Sequence, residues 1–310
     1  MGKATREAYG NALARIGKEN TDIIVLDADL SKSTKTDTFK AVCPERFFNV
    51  GIAEQNLISV GAGLAAAGKI SFVSSFSMFA TGRAFEQIRN AVCYPKLNVK
   101  VCATHAGITV GEDGATHQSL EDISCMRTLP NMTVVVPADE RETEAVIEWA
   151  ASYNGPVYVR LGRAGVDDVT TEGYSFVPGK STILVDGSDA TIIACGALVG
   201  PAVEASKALS KSNISARVIN MASIKPIDAE AITKAAAETG AIITAEEHNI
   251  IGGLGSAVSE VVVSNKPVPM EFVGVQDTFG ESGTPKELMA KYGLTAKDIV
   301  EAVKRVTTRK

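Results

Sequence analysis

Residues 49–76 read NVGIAEQNLISVGAGLAAAGKISFVSSF. Positions 57–68 are almost wholly small and apolar over about three helical turns, and residues 69–76 are a short apolar run of strand length. A helix leading into a buried strand is the unit of a parallel sheet covered on both faces. One residue resists that reading. Glu54 opens the apolar helix, and burying a lone carboxylate is costly unless it pairs, takes up a proton or meets a ligand.

The same alternation runs outward in both directions. Residues 5–20 have the period of an amphipathic helix and 22–30 (DIIVLDADL) that of a buried strand. Further on, 80–94 and 140–154 read as helices, and 98–105, 132–139 and 156–163 as strands. After Arg163 the texture changes to AGVDDVTTEGYSFVPGKS, which is polar, rich in turn formers and without period. A second α/β series follows, with ATIIACG, ARVINM and AIITAEEH as strands. The expected organisation is one α/β domain over 1–172, a linker over 173–188 and a smaller α/β domain over 189–310.

The composition suits a soluble globular chain: 310 residues, 45% hydrophobic and 22% charged. A net charge of −5 with no Lys/Arg block argues against nucleic acid or an anionic membrane as partner. The N-terminus lacks the apolar core of a secretory signal, and Gly2 is not followed by the Ser or Thr that myristoylation requires at position 6, where Arg6 stands. No apolar run reaches membrane-spanning length. Five scattered cysteines without a CxxC fit reduced thiols, so a cytoplasmic location is expected.

Ligands of parallel sheets gather beyond the carboxyl ends of the strands. Asp27 and Asp29 follow one strand, Ser74 to Phe79 another, His105 a third and Arg163 the last. His105 and His117 flank the glycine-rich loop AGITVGEDGAT, which carries Glu112 and Asp113. Taken singly, each has a plain explanation: a histidine at a strand end, an acidic turn, two core phenylalanines, an arginine on a surface carboxylate. Their joint placement at strand ends favours a site. No HxxxH, CxxC or carboxylate triplet suggests a metal, and neither a GxGxxG fingerprint, a Walker A loop nor a GxSxG elbow is present.

Together the stretches ATREAYGNAL, DADLSKST, FFNVGIAEQN, SSFSMFATGRAFEQIRNAV, THAGITVGEDGATHQSLEDIS, LPNMTVVVPAD, GPVYVRLGR and FGESGTPKELMAKYGL resemble transketolases, specifically their pyrimidine-binding and C-terminal domains. The resemblance implies thiamine diphosphate as cofactor and gives Glu54 a role. In that family the glutamate of GIAEQ bonds the N1′ nitrogen of the aminopyrimidine, favouring the tautomer that deprotonates the thiazolium. By the same match Phe76 and Phe79 line the pyrimidine pocket and Asp29 lies near the cofactor at a subunit junction. Gly82 stands where several relatives have a further aromatic. Arg6, Ser33, His105 and Arg163 match residues that bind a sugar phosphate; Asp113 matches a reader of the C2 hydroxyl, and His117 a residue that orients donor hydroxyls and assists proton transfer, with His105 beside it. Gln118 is left as a neighbour and His248 as structural or interfacial.

The GDG and downstream Asn that hold the divalent metal and diphosphate in full-length transketolases are missing from the sequence. The expectation is therefore a subunit of a two-chain enzyme, active only with an N-terminal partner that holds Mg2+ and the diphosphate. It would form a homodimer within a heterotetramer and move a two-carbon ketol unit between sugar phosphates. Deoxyxylulose-phosphate synthase shares NVGIAEQ and THQ but has arginine where this chain has His105. A 2-oxoacid dehydrogenase beta subunit lacks GEDGATHQ with both histidines. A non-catalytic scaffold is disfavoured by intact Glu54, His105, Asp113 and His117.

Overall fold

A computed structural model describes residues 2–310. In chain order the strands are β1 (Ile23–Asp27), β2 (Phe47–Asn49), β3 (Ile70–Ser74), β4 (Val99–Ala103), β5 (Thr133–Val135), β6 (Val157–Arg160), β7 (Thr182–Val185), β8 (Ala190–Ala194), β9 (Ala216–Asn220), β10 (Ser223–Lys225), β11 (Ile242–Asn249) and β12 (Met270–Val275). They form two sheets, ordered β10-β5-β6-β4-β3-β1-β2 and β12-β11-β8-β9-β7. Every pair in the first sheet is parallel except β10 on β5, and every pair in the second except β7 on β9. β1, β4 and β8 are buried at every position, as strands covered by helices on both faces must be.

The expected α/β architecture is therefore present, and three details depart from the reading of the sequence. Residues 173–188 are not all loop: β7 lies within them and adds to the second sheet through β9. The helical stretch after Phe76 is not a plain α-helix; Met78–Arg83 and Ile88–Cys93 are π-helical, with one α turn, Phe85–Gln87, between them. π-turns widen the helix by a residue and re-aim the side chains that follow. Third, the helix Glu54–Ala66 is apolar on more than its buried face. Leu57, Ile58, Gly61, Ala62 and Ala65 pack inward, whereas Val60 is exposed, as are nearby Phe48 and Ile52.

Gly61 is required by that inward packing, since a Cβ there would stand 2.6 Å from Val73 Cγ1. The helix thus lies against β3 at a distance only glycine permits. The two sheets also share packing. Met126, Leu129 and Met132 belong to one apolar cluster with Ile224, Ile232, Leu254 and Val258 from the second half of the chain.

Candidate active site

The first sheet ends in a cluster of rings, to which Arg83 links one buried carboxyl. Glu54 begins its helix, is 1% exposed, and its Oε2 accepts a 2.6 Å hydrogen bond from Arg83 Nη1. Phe76, just past β3, stacks on His105, just past β4, with centroids 3.8 Å apart. Phe79 faces Phe76 at 6.0 Å with an interplanar angle of 18°, and His117 meets Phe79 edge-on at 5.2 Å. Chain segments more than sixty residues apart in sequence thus converge because their strands are parallel and end on the same side.

Beside the rings lies a cationic corner. Arg6 Nη1 donates to the Ser33 carbonyl at 3.0 Å and contacts His105 Nε2 at 3.1 Å. A guanidinium only donates, so His105 Nε2 is the acceptor and its proton sits on Nδ1, 2.9 Å from Thr104 Oγ1. Burial, then Arg6, Arg163 and His117, push the His105 pKa down to about 3, so the ring is neutral at ordinary pH. Arg6 Nε is buried without a partner. Burial and the nearby Arg163 also lower the Arg6 pKa from its usual value. Arg163 Nη1 donates to the Val110 carbonyl at 2.6 Å and to Glu112 Oε2 at 2.8 Å. Its carboxylate partner is thus Glu112.

The structure therefore joins Glu54, Phe76, Phe79, His105 and His117, with Arg6 and the Ser33 carbonyl adjoining through His105. Asp29 and Asp113 are exposed. Asp29 has φ 65° and accepts from Asn49 Nδ2 at 2.7 Å, while Asp113 sits on the turn between Gly111 and Gly114. Among the described residues, no group of three or more His, Cys, Asp or Glu stands close enough to hold a metal ion.

Several contributors escape sequence reasoning. Arg83 is one. Gln118, read only as a neighbour, braces the glycine-rich loop by donating from Nε2 to the carbonyls of Ile108, Gly111 and Glu281. Glu247, from β11 of the second half, accepts the Thr109 backbone N–H at 2.6 Å. Gly107 has φ 84°, and a Cβ there would lie 2.3 Å from Glu247 Cδ, so the loop and the second sheet meet at a glycine.

Behind the rings runs a buried polar chain. Tyr158 Oη donates to Asp122 Oδ2 at 2.5 Å, so Ser77 Oγ, 3.0 Å from Tyr158 Oη, donates to it. Arg160 Nε donates to the same Asp122 oxygen at 2.8 Å and its Nη2 reaches the Glu247 carbonyl, also at 2.8 Å. This network fixes the backbone next to Phe76 against the second half of the chain. His248, fully buried, has a structural place at the same seam: Nδ1 donates to the Asn249 carbonyl and Nε2 accepts from Ser124 N–H.

Comparison with known proteins bears on this site. Residues 1–167 match the family described as "Transketolase, pyrimidine binding domain" and residues 179–299 that described as "Transketolase, C-terminal domain". A "Putative transketolase C-terminal section" from Methanocaldococcus jannaschii is 52% identical over 304 residues, covering 97% of this chain and 95% of that protein. A "6-deoxy-6-sulfo-D-fructose transketolase subunit" from Clostridium sp. (strain MSTE9) is 43% identical, covering 98% and 95%. The solved structure titled "Split gene transketolase, inactive beta4 tetramer" superposes with a TM-score of 0.92 at 55% identity, covering 100% of both chains. The chain described above belongs to the transketolase family, of which it carries the pyrimidine-binding and C-terminal domains.

Proposed function

We propose that the protein is one subunit of a two-chain transketolase that moves a two-carbon ketol unit from a ketose phosphate to an aldose phosphate. The observation that carries this is the pairing of a buried carboxyl, Glu54, with the facing rings of Phe76 and Phe79, beside the Arg6–His105–Arg163 corner. The transketolase family depends on thiamine diphosphate. A carboxyl next to two near-parallel rings fits the cofactor's flat, basic aminopyrimidine. In this reading an N-terminal partner holds Mg2+ and the diphosphate, as in the split arrangement named for the similar solved structure.

When bound, thiamine diphosphate supplies the carbon nucleophile and electron sink of the ketol transfer. The chain's own residues do the rest. Glu54 holds a proton against the pyrimidine edge. Phe76 and Phe79 orient the ring and keep water from it. Arg6, with its unpaired buried Nε, and Arg163 bind the substrate's terminal oxyanion. His105, neutral and with Nδ1–H tied to Thr104, hydrogen-bonds sugar oxygen. His117, edge-on to Phe79, orients donor hydroxyls and moves a proton, and exposed Asp113 reads the C2 hydroxyl once substrate fills the cleft.

The relative named for a sulfofructose supports an oxyanion reading wider than phosphate, since two guanidinium forks suit any tetrahedral oxyanion. The exposed Phe48, Ile52 and Val60 suit contact with a second copy of the chain, which would bring Asp29 to the subunit junction. Among the described residues, no helix is long and apolar enough to cross a membrane. Five free cysteines suit a reducing compartment, and we place the protein in the cytoplasm. The test is co-expression with an N-terminal transketolase chain and assay of ketol transfer with thiamine diphosphate and Mg2+. Activity in the pair and none in this chain alone is the expected result; turnover by the chain alone sinks the two-chain reading.

A further inference from the structure

Glu54 and Arg83 come from two different helices, and the ends of their ion pair are unequal. The Glu54 side chain is 1% exposed and fixed in a first helical turn, whereas the Arg83 side chain is 50% exposed. The arginine reaches in from the rim. Its Nη1 stands 2.6 Å from Glu54 Oε2, and its Cζ stands 4.9 Å from the Phe79 ring centroid. The π-helical segment Met78–Arg83 makes both contacts possible, because the wider turn re-aims the side chain at its end. One arginine thus covers both features on which the pyrimidine assignment depends.

We infer that Arg83 is a displaceable occupant of the pyrimidine pocket: its guanidinium holds Glu54 and the face of Phe79 until an aminopyrimidine takes both. Cofactor binding is then an exchange. This rests on the thiamine diphosphate reading above and adds a competitor to it. A buried carboxylate without a counter-charge is costly, so Arg83 stabilises the chain before cofactor arrives. A ring nitrogen reaching Glu54 must break that contact, and a half-exposed arginine can turn its head into water while its stem stays on the surface. The same pair therefore favours the free chain and opposes the cofactor. A residue that only packs against the pocket wall would favour both.

Two measurements test this. The first is a double-mutant cycle on urea unfolding of this chain, with Glu54→Gln, Arg83→Met and the double variant. Arg83→Met should destabilise the wild-type background and have little effect once Glu54 is Gln; a cycle without coupling overturns the pair. The second is calorimetric titration of thiamine diphosphate with Mg2+ into the two-chain complex. Arg83→Met should bind roughly 3- to 10-fold tighter, the range for an ion pair with one half-exposed end. Arg83→Lys, which keeps the charge without the planar fork, should fall between and carries the test if Arg83→Met does not fold. Unchanged or weaker binding in these variants overturns the exchange. If the wild-type complex and both variants bind no thiamine diphosphate although the coupling is present, the cofactor assignment itself fails, and the exchange with it.

Discussion

Nη1 of Arg6 lies 3.1 Å from Nε2 of His105, and the same nitrogen bonds the Ser33 carbonyl at 3.0 Å. The histidine is therefore held as an acceptor beside a permanent cation, with its pKa pushed down to about 3 by burial first and then by Arg6, Arg163 and His117. Unfolded, the ring titrates near 6.5. The folded state thus binds fewer protons than the unfolded one between those values. The stability this group contributes is present above about pH 6.5 and is lost as pH falls toward 3. His105→Gln, which cannot titrate, should flatten that acid limb. Denaturant unfolding at pH 7 and pH 4.5 should show the wild type losing roughly 1–3 kcal/mol more than the variant across that interval. Parallel losses would mean that His105 is not held neutral.

Glu54→Gln should preserve assembly of the complex and slow turnover by about 10²–10⁴-fold, the usual weight of a group that shares a proton in the rate-determining events. Single-turnover kinetics on the two-chain enzyme read this directly. A loss of only a few-fold removes Glu54 from the proton-holding role.

Arg163→Ala should raise KM for a phosphorylated sugar by the equivalent of ~1.5–3 kcal/mol, as for a charged hydrogen bond, and do much less to hydroxypyruvate or erythrulose. Glu112, its partner at 2.8 Å, is a half-exposed to exposed rim acid, so Glu112→Gln should leave phosphate binding intact or strengthen it. Equal losses for phosphorylated and unphosphorylated donors would leave Arg163 as no more than Glu112's partner.

Gly107→Ala should be severe. The residue has φ 84°, and the new methyl would lie 2.3 Å from the Glu247 carboxyl carbon, so backbone strain and overpacking add. We expect a loss of roughly 2–4 kcal/mol by denaturant unfolding. Gly107→Ala in a Glu247→Ala background should cost less than in the wild type if the clash is with that side chain.

Much of this was legible in the sequence, for identifiable reasons. Strands such as β1 and β4, apolar but for Asp27 and Lys100, announce a sheet buried on both faces, and Glu54 stands out because it opens an apolar helix. Arg83 was hidden because its reach depends on a π-turn, and periodicity in residues 80–94 reads as ordinary helix. Glu246 and Glu247 are adjacent acids in AEEH that no pattern separates. In β11 they point to opposite faces: Glu246 accepts Leu254 and Gly255 N–H at a helix start, and Glu247 accepts Thr109 N–H. The β7 strand was read as linker because its residues ILV are too few to show a period.

β10 carries a last consequence. It comes from the second half of the chain yet forms the outer strand of the first sheet, with Ser223 opposite Val135, while Lys225 Nζ donates to the carbonyls of Arg127 and Leu129. The two halves are therefore not modular. A fragment cut at residue 172 would keep the pocket residues but bare the edge of β5, and an uncovered edge invites pairing with any passing strand. Grafting a foreign C-terminal half onto this one would succeed only if the graft brought a strand of its own to close that sheet.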